Sequence, residues 1–187
     1  MSVPPLFIPE CHVDTVLTRT LLLYRHDFDD FINHQHGVSK VANEMQRQWR
    51  NHGAARQVVG IVDHDKKLHN VAYLSEFEEQ PSVRPVAGAP HSIRRHPARP
   101  TQFLLVLNPA CDTWVWAAAT AAGLFPLAPG LPNDFRAFLD YCKTKGIEND
   151  PPLVALLAGI RRARPAVYAE LGDFVAGIMG PGRPLPG

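Results

Sequence analysis

Two aspartates one residue apart, Asp63 and Asp65, follow an apolar run in the stretch "RQVVGIVDHDKK". Another carboxylate, Glu10, ends the apolar run "PLFIPE", and Asp112 comes a few residues after the run "FLLVLN". Carboxylates that crowd together repel one another, and each holds its proton more tightly unless a cation offsets the charge. Clustered hard oxygen ligands suit Mg²⁺ or Mn²⁺. These residues therefore predict a divalent-metal site, provided that the fold brings them together.

The strands and helices predicted around these acids would bring the acids to one edge of a sheet. Strands are predicted at 5–10, 57–63 and 101–108, with a weaker candidate at 29–34, and helices at 14–24, 39–53, 66–79 and 111–123. Alternation of strands and helices predicts an α/β fold, a mostly parallel, Rossmann-like sheet with helices on both faces. Ligands of such sheets bind beyond the carboxyl ends of the strands. All four acids are expected at that edge.

The remaining chain is divided by proline. Residues 81–100 contain five prolines, four arginines and no acid, and we expect a long loop there because proline lacks an amide donor and fixes φ. Three helices are predicted near 134–145, 152–162 and 165–179. The predicted organisation is an α/β core over 1–125, a helical C-terminal extension packed on it over 126–179, and a disordered tail over 180–187.

Composition excludes several classes of protein. The 187 residues are 45% hydrophobic and 20% charged, with a net charge of +1, which is typical of a globular protein without a strong global field. We find no apolar run that would cross a bilayer and no signal peptide. Three cysteines without zinc-type spacing favour free thiols in a reducing cytoplasm. The nine histidines match no zinc signature, so no zinc site is expected, and His12 is a candidate proton carrier.

Several of these motifs resemble the Toprim (topoisomerase–primase) domain. "LFIPECHVDTVLTRTLL" is similar to its first motif, with Glu10 and Asp14 at the matching positions, and "VVGIVDHDKK" is similar to its D-x-D motif. "LNPACDTWVW" resembles a further motif of small stand-alone proteins related to the overcoming-lysogenization-defect nucleases, where Asp112 and Trp114 would match. The resemblance covers roughly the first 120 residues. One departure is Cys11, since the Toprim glutamate is usually followed by glycine.

The resemblance implies a Mg²⁺- or Mn²⁺-dependent nuclease, or a related phosphodiester-processing protein, that acts on DNA or RNA. Glu10, Asp63 and Asp65 would be catalytic, and the same three with Asp112 would hold the metal. Similar small proteins are often associated with ATPases in prokaryotic defence, which implies a possible ATPase partner. Contacts to the nucleic-acid backbone are expected from four basic side chains, Lys66, Arg94, Arg95 and Arg99.

Other interpretations stay open at this point. A D-x-D motif is common in surface turns, Asp112 could be only a helix cap, and the arginines could only keep a loop in solution. A non-catalytic Toprim-like binding module is one alternative function. Another is a transferase that uses D-x-D to bind a metal and a nucleotide diphosphate, although Glu10 would then be unexplained. The sequence indicates no oligomeric state.

Overall fold

The computed structural model describes residues 3–23, 28–64, 68–80, 86 and 88–180. Five strands form one sheet in the order β1-β2-β5-β4-β3. The strands are β1 (Leu6–Pro9), β2 (Val58–Asp63), β3 (Glu78–Glu79), β4 (His91–His96) and β5 (Arg99–Leu107). The helices are α1 (His12–Leu21), α2 (Val38–His52), α3 (Ala72–Ser75), α4 (Cys111–Ala121), α5 (Phe135–Cys142), α6 (Pro151–Ala163) and α7 (Ala166–Met179). The molecule is therefore an α/β protein.

The sheet is mixed rather than mostly parallel. β2 pairs in parallel with β1 on one side and with β5 on the other, as expected of a central strand. β4 and β3 add antiparallel pairings at the far side. The expectation of a mostly parallel sheet is thus right for β1, β2 and β5 and wrong for the other two strands. The three parallel strands are the ones whose carboxyl ends carry the predicted acids.

Both faces of the sheet are covered by helices. The face covered by α2 buries alternate strand residues such as Ile8, Val62 and Val106, together with Leu74 beside them. The other face packs on α1 and α4–α7, and its core combines strand residues such as Phe7 and Ile61 with C-terminal helix residues such as Leu157 and Leu171. The predicted C-terminal helices are present and belong to the same core as the sheet.

The second half of the predicted long loop, residues 91–100, forms a hairpin instead. β4 occupies His91–His96, and it turns directly into β5, which begins at Arg99. The six residues of β4 contain no proline, while Pro97 lies in the turn and Pro100 lies where the strand register shifts beside Arg95 and His96. Proline therefore occurs at the turn and at the register shift of this hairpin rather than excluding it. Residues 81–85 and 87 lie outside the described part of the chain.

Two other predicted elements are different in the structure. Where a helix was expected over 66–79, the described residues 68–79 form a short 3₁₀ turn, the four-residue α3 and the strand β3. Tyr73 and Phe77 place their rings against His96, and this packing overrides the helical pattern of the sequence. The weaker strand expected over 29–34 contains a 3₁₀ turn at Phe28–Phe31 and a single parallel bridge from Ile32 to Phe7.

One glycine permits the close approach of α2 to the sheet. A Cβ atom at Gly60 in β2 would lie 2.6 Å from the sulfur of Met45 and 3.2 Å from side-chain atoms of Val41 and Leu104. Such distances are shorter than van der Waals contact. Helix α2 can therefore pack this tightly only because residue 60 has no side chain.

In the described residues, no helix is both long enough and apolar enough to cross a membrane. The predicted tail over 180–187 lies outside the described residues apart from Gly180.

Candidate acidic site at the sheet edge

Glu10 and Asp63 meet at the carboxyl end of neighbouring parallel strands. The register of β1 and β2 pairs Pro9 with Ile61, so both acids follow at the same edge. Glu10 Oε2 accepts a hydrogen bond of 3.2 Å from the backbone amide of Asp63. Asp63 Oδ1 accepts one of 2.9 Å from the backbone amide of Cys111 at the start of α4. The edge thus joins β1, β2 and α4 through two carboxylates.

A third carboxylate, Asp14, lies buried beneath this edge. Cys11 caps α1, and it forms a capping box with Asp14: the Cys11 amide donates to Asp14 Oδ2 at 3.0 Å, and the Asp14 amide donates to the Cys11 sulfur at 3.4 Å. Asp14 is therefore the third residue of the helix rather than its cap. Its other oxygen, Oδ1, is buried and accepts no well-aligned hydrogen bond within the described residues.

The local electrostatics raise the pKa of two of these acids. Burial is the main cause for both: it raises the pKa of Asp63 to about 8, with the negative charges of Asp14, Glu10 and Asp112 adding to the effect. The pKa of Asp14 rises to about 7, although thiol hydrogen bonds from Cys111 and Cys11 oppose the rise. Both acids therefore take up protons far more readily than an ordinary aspartate. A bound cation would reverse this shift.

The remaining predicted metal ligands are less centrally placed. Asp112 lies in the first turn of α4, where its Oδ1 accepts from the Thr113 amide at 2.7 Å, and Ala110 rather than Asp112 is the cap. Asp112 still contributes to the electrostatics of Asp63. Asp65 and Lys66 lie outside the described residues.

The predicted nucleic-acid-binding arginines lie on the β4–β5 hairpin. Arg94 and Arg95 pair with Glu79 and Glu78 of β3, so acids lie across the strand from both. Arg99 contacts the ring faces of Tyr73 and Trp49, at 4.9 and 5.8 Å. Arg99 opens β5, whose last residue, Leu107, pairs with Asp63, so it lies at the opposite end of that strand from the acidic edge. Arg99 thus does not converge on the acids.

Three histidines that no sequence motif linked lie together beside this edge. The ring centroids of His12, His34 and His36 are separated by 4.7, 5.5 and 4.5 Å. Each ring offers one nitrogen as a possible metal ligand, and these three nitrogens lie within 4.8 Å of one another. No other three potential ligands in the described residues form such a group. The described carboxylates do not form such a set. The spacing could not reveal the cluster, because His12 and the other two come from separate elements.

A buried hydrogen-bond chain lies behind the edge. Trp114 Nε1 donates to His91 Nδ1 at 3.1 Å, and His91 Nε2 lies 3.0 Å from Glu170 Oε2. Since Nδ1 accepts, the proton of a neutral imidazole is on Nε2 and is donated to Glu170. Burial lowers the pKa of His91 against the opposing effect of Glu170, which is consistent with a neutral ring. Trp114 is thereby fixed as part of the core.

The chain matches no protein-family model, no curated protein and no solved structure.

Proposed function

We propose that the acidic edge binds a divalent cation and serves metal-dependent cleavage of phosphodiester bonds in nucleic acid, as the Toprim resemblance implies. The observation that carries the proposal is the placement of Glu10 and Asp63 on adjacent parallel strands, with Asp112 close enough to raise the pKa of Asp63. A buried group of acids with raised pKa values is typical of a functional site. A bound divalent cation would offset the repulsion between their negative charges, and carboxylate oxygens are suitable ligands for such an ion.

The residues fit Mg²⁺ or Mn²⁺ by chemistry. Glu10 and Asp63 would hold the ion from the two strand ends, with Asp112 at the rim and Asp65 as the second acid of the D-x-D motif. When bound, such an ion would activate a water molecule and stabilise negative charge on the phosphodiester. Glu10 is the candidate general acid or base. Arg94, Arg95 and Lys66 remain candidates for contacts to phosphate, whereas the ring contacts of Arg99 favour a packing role.

The test is cleavage of labelled single- and double-stranded DNA and RNA, with Mg²⁺ or Mn²⁺ and with EDTA. We expect metal-dependent cleavage that Asp63→Asn lowers by about 10²–10³-fold, the scale of losing one electrostatic contact to a transition state. Asp140→Asn is the matched control, since Asp140 is an exposed acid on α5 whose nearest cation is Lys143 at 3.7 Å. Cleavage that survives Asp63→Asn would contradict the proposal.

A second candidate, a non-catalytic binding module, is favoured by one observation. Oxygens of both Glu10 and Asp63 are already engaged by backbone amides, and the described carboxylates form no group of three at metal-ligand spacing. Calorimetric titration with Mn²⁺ separates the two functions. Binding that Asp63→Asn abolishes favours the cation site, and no binding to the wild-type protein favours the module. A partner of that module, such as an ATPase, would then be sought by co-purification.

A further inference from the structure

The segment that precedes α2 places two histidines on one side. Backbone amides of Asn33 and Gln35 donate to the carbonyls of Phe7 and Pro9, both at 2.9 Å, so this segment runs alongside β1. In extended chain, residues two apart point to the same side. His34 and His36 therefore share a side, and it is the one where His12 opens α1.

Two of the three rings are oriented by acceptors outside the cluster. The backbone carbonyl of Glu10 accepts a hydrogen bond from the His34 ring. His12 Nδ1 lies 3.1 Å from Glu148 Oε2, which is an ion-pair distance without hydrogen-bond alignment, and neither atom makes a hydrogen bond within the described residues. Glu148 is itself held, because Arg19 donates to its backbone carbonyl at 3.0 Å. Metal-binding histidines characteristically have such a carbonyl or carboxylate behind the ring, which fixes the tautomer.

Within the described residues, the buried Nε2 of His34 has neither a hydrogen-bond partner nor an ion-pair partner. Buried polar atoms are almost always satisfied, so an atom of this kind needs a partner from outside the described chain, which a water or a metal ion can supply. The exposed His36 leaves the cluster open to solvent on one side. An ion could therefore reach the buried nitrogen.

We propose that His12, His34 and His36 form a binding site for a transition-metal ion of the Zn²⁺ type, separate from the acidic edge. Imidazole nitrogens suit Zn²⁺ and related ions, whereas Mg²⁺ prefers oxygen. The donor atoms lie within 4.8 Å of one another, while ligands of a tetrahedral zinc ion are about 3.4 Å apart for Zn–N bonds of ~2.0–2.1 Å. Binding would bring the donor atoms closer together by up to about 1.4 Å and leave a fourth position for water.

The site joins parts of the chain that are distant in sequence. It connects the start of α1 with the segment before α2, and Glu148 extends the connection to the turn before α6. A ligand that binds only the folded protein stabilises it in proportion to the logarithm of its concentration above Kd. Zinc should therefore raise the melting temperature, independently of any nuclease activity.

The test is calorimetric titration of tag-free, EDTA-treated and dialysed protein with ZnCl₂, together with Co²⁺ absorption spectroscopy. We expect one bound ion, a Co²⁺ spectrum of tetrahedral type, and a loss of affinity of at least about 10-fold in His36→Ala and His34→Ala. His36 is exposed, so His36→Ala should fold normally, and circular dichroism checks this for both variants. His69→Ala is the matched control, because exposed His69 belongs to the other histidine pair, with His64 at 5.4 Å between ring centroids.

Two outcomes overturn the proposal: no zinc binding to the wild-type protein, or binding that both cluster variants retain. The acidic edge is tested separately. Asp63→Asn should leave zinc binding unchanged, and His36→Ala should leave Mn²⁺ binding at the acidic edge unchanged. Zinc binding lost in Asp63→Asn but kept in His36→Ala would assign the ion to the acids.

Discussion

At Asp63, burial opposes the negative charge of the carboxylate. Its carboxyl lies among Asp14, Glu10 and Asp112, and burial alone already raises its pKa. The only described hydrogen bond to its side chain comes from the Cys111 amide at 2.9 Å. One donor does not replace the hydration that a charged carboxylate has in water. Without a cation, the folded protein therefore favours the protonated acid.

This gives a pH dependence of stability. The folded-state pKa values of Asp63 and Asp14, about 8 and about 7, lie above the ordinary 3.8. Their contribution is fully present below about pH 4 and is lost as pH rises through 7 to 8, because unfolding then releases protons. In EDTA, we expect the free energy of unfolding to fall between pH 5.5 and 8.5, by up to about 1.4 kcal/mol per pH unit for each proton.

Asp63→Asn should flatten that fall, and the variant should be at least as stable as the wild type at pH 8.5. Urea unfolding at several pH values measures both effects, and Asp140→Asn should follow the wild-type curve. A variant that is much less stable at pH 8.5 would mark Asp63 as a structural residue instead.

The acids could be predicted from the sequence and the histidines could not. Glu10 and Asp63 each follow an apolar run, and parallel strands bring such ends together, so local pattern was enough to place them at one edge. His12 and His34 become neighbours only through the path of the segment beside β1, which has a single bridge, from Ile32 to Phe7. The role of Cys11 as a cap was also hidden, since cysteine is not a usual capping residue.

At the scale of elements, the β4–β5 hairpin shows what proline does and does not indicate. Its prolines lie before β4, in the turn and at the register shift, while the six residues between Pro90 and Pro97 form the strand β4. The proline content of the whole segment 81–100 predicted a loop, although six consecutive residues within it contain no proline. The long helices were predicted well because their periodicity persists over many residues, whereas α3 has only four.

The close contact between α2 and β2 predicts that a side chain at residue 60 lowers the stability of the fold. Gly60→Ala places a methyl group 2.6 Å from the Met45 sulfur and 3.2 Å from Val41 and Leu104, so the core must shift. We expect a destabilisation of about 1–3 kcal/mol, measured by urea unfolding.

Gly177→Ala is the matched control for this effect. Gly177 lies in α7, and outside its own stretch of helix no atom of the described residues lies within 4 Å of the position that a methyl group would take there. Alanine at this position should be neutral or stabilising by up to about 1 kcal/mol, because it is a better helix former. If Gly60→Ala is as stable as the wild type, α2 is less closely packed than described.

At the scale of the whole molecule, the C-terminal helices complete the core of the sheet. Leu157 and Ile160 of α6 and Leu171 of α7 are fully buried in the cluster that contains Phe7 and Ile61. The sequence predicted these helices and that they pack on the core. It could not show how completely they share that core, because contacts between residues so far apart in the chain leave no local pattern.

A single substitution tests whether the two parts unfold together. Leu157→Ala should cost about 2–5 kcal/mol, since it removes a fully buried side chain of α6. Far-ultraviolet circular dichroism and tryptophan fluorescence should report one coincident transition. Arg162→Ala, at an exposed position of the same helix, should change little. Separate transitions for the two probes would show that the helices unfold independently of the sheet.

The chain from Trp114 through His91 to Glu170 gives the protein an optical reporter of its own. It connects α4, β4 and α7, so it exists only while α7 is docked. Of the three tryptophans in the sequence, Trp114 is fully buried and donates its indole hydrogen to a ring nitrogen, while Trp49 and Trp116 are partly exposed. Undocking of α7 would remove Glu170 from the ring of His91, and the emission of Trp114 should therefore change in wavelength and intensity without any attached dye.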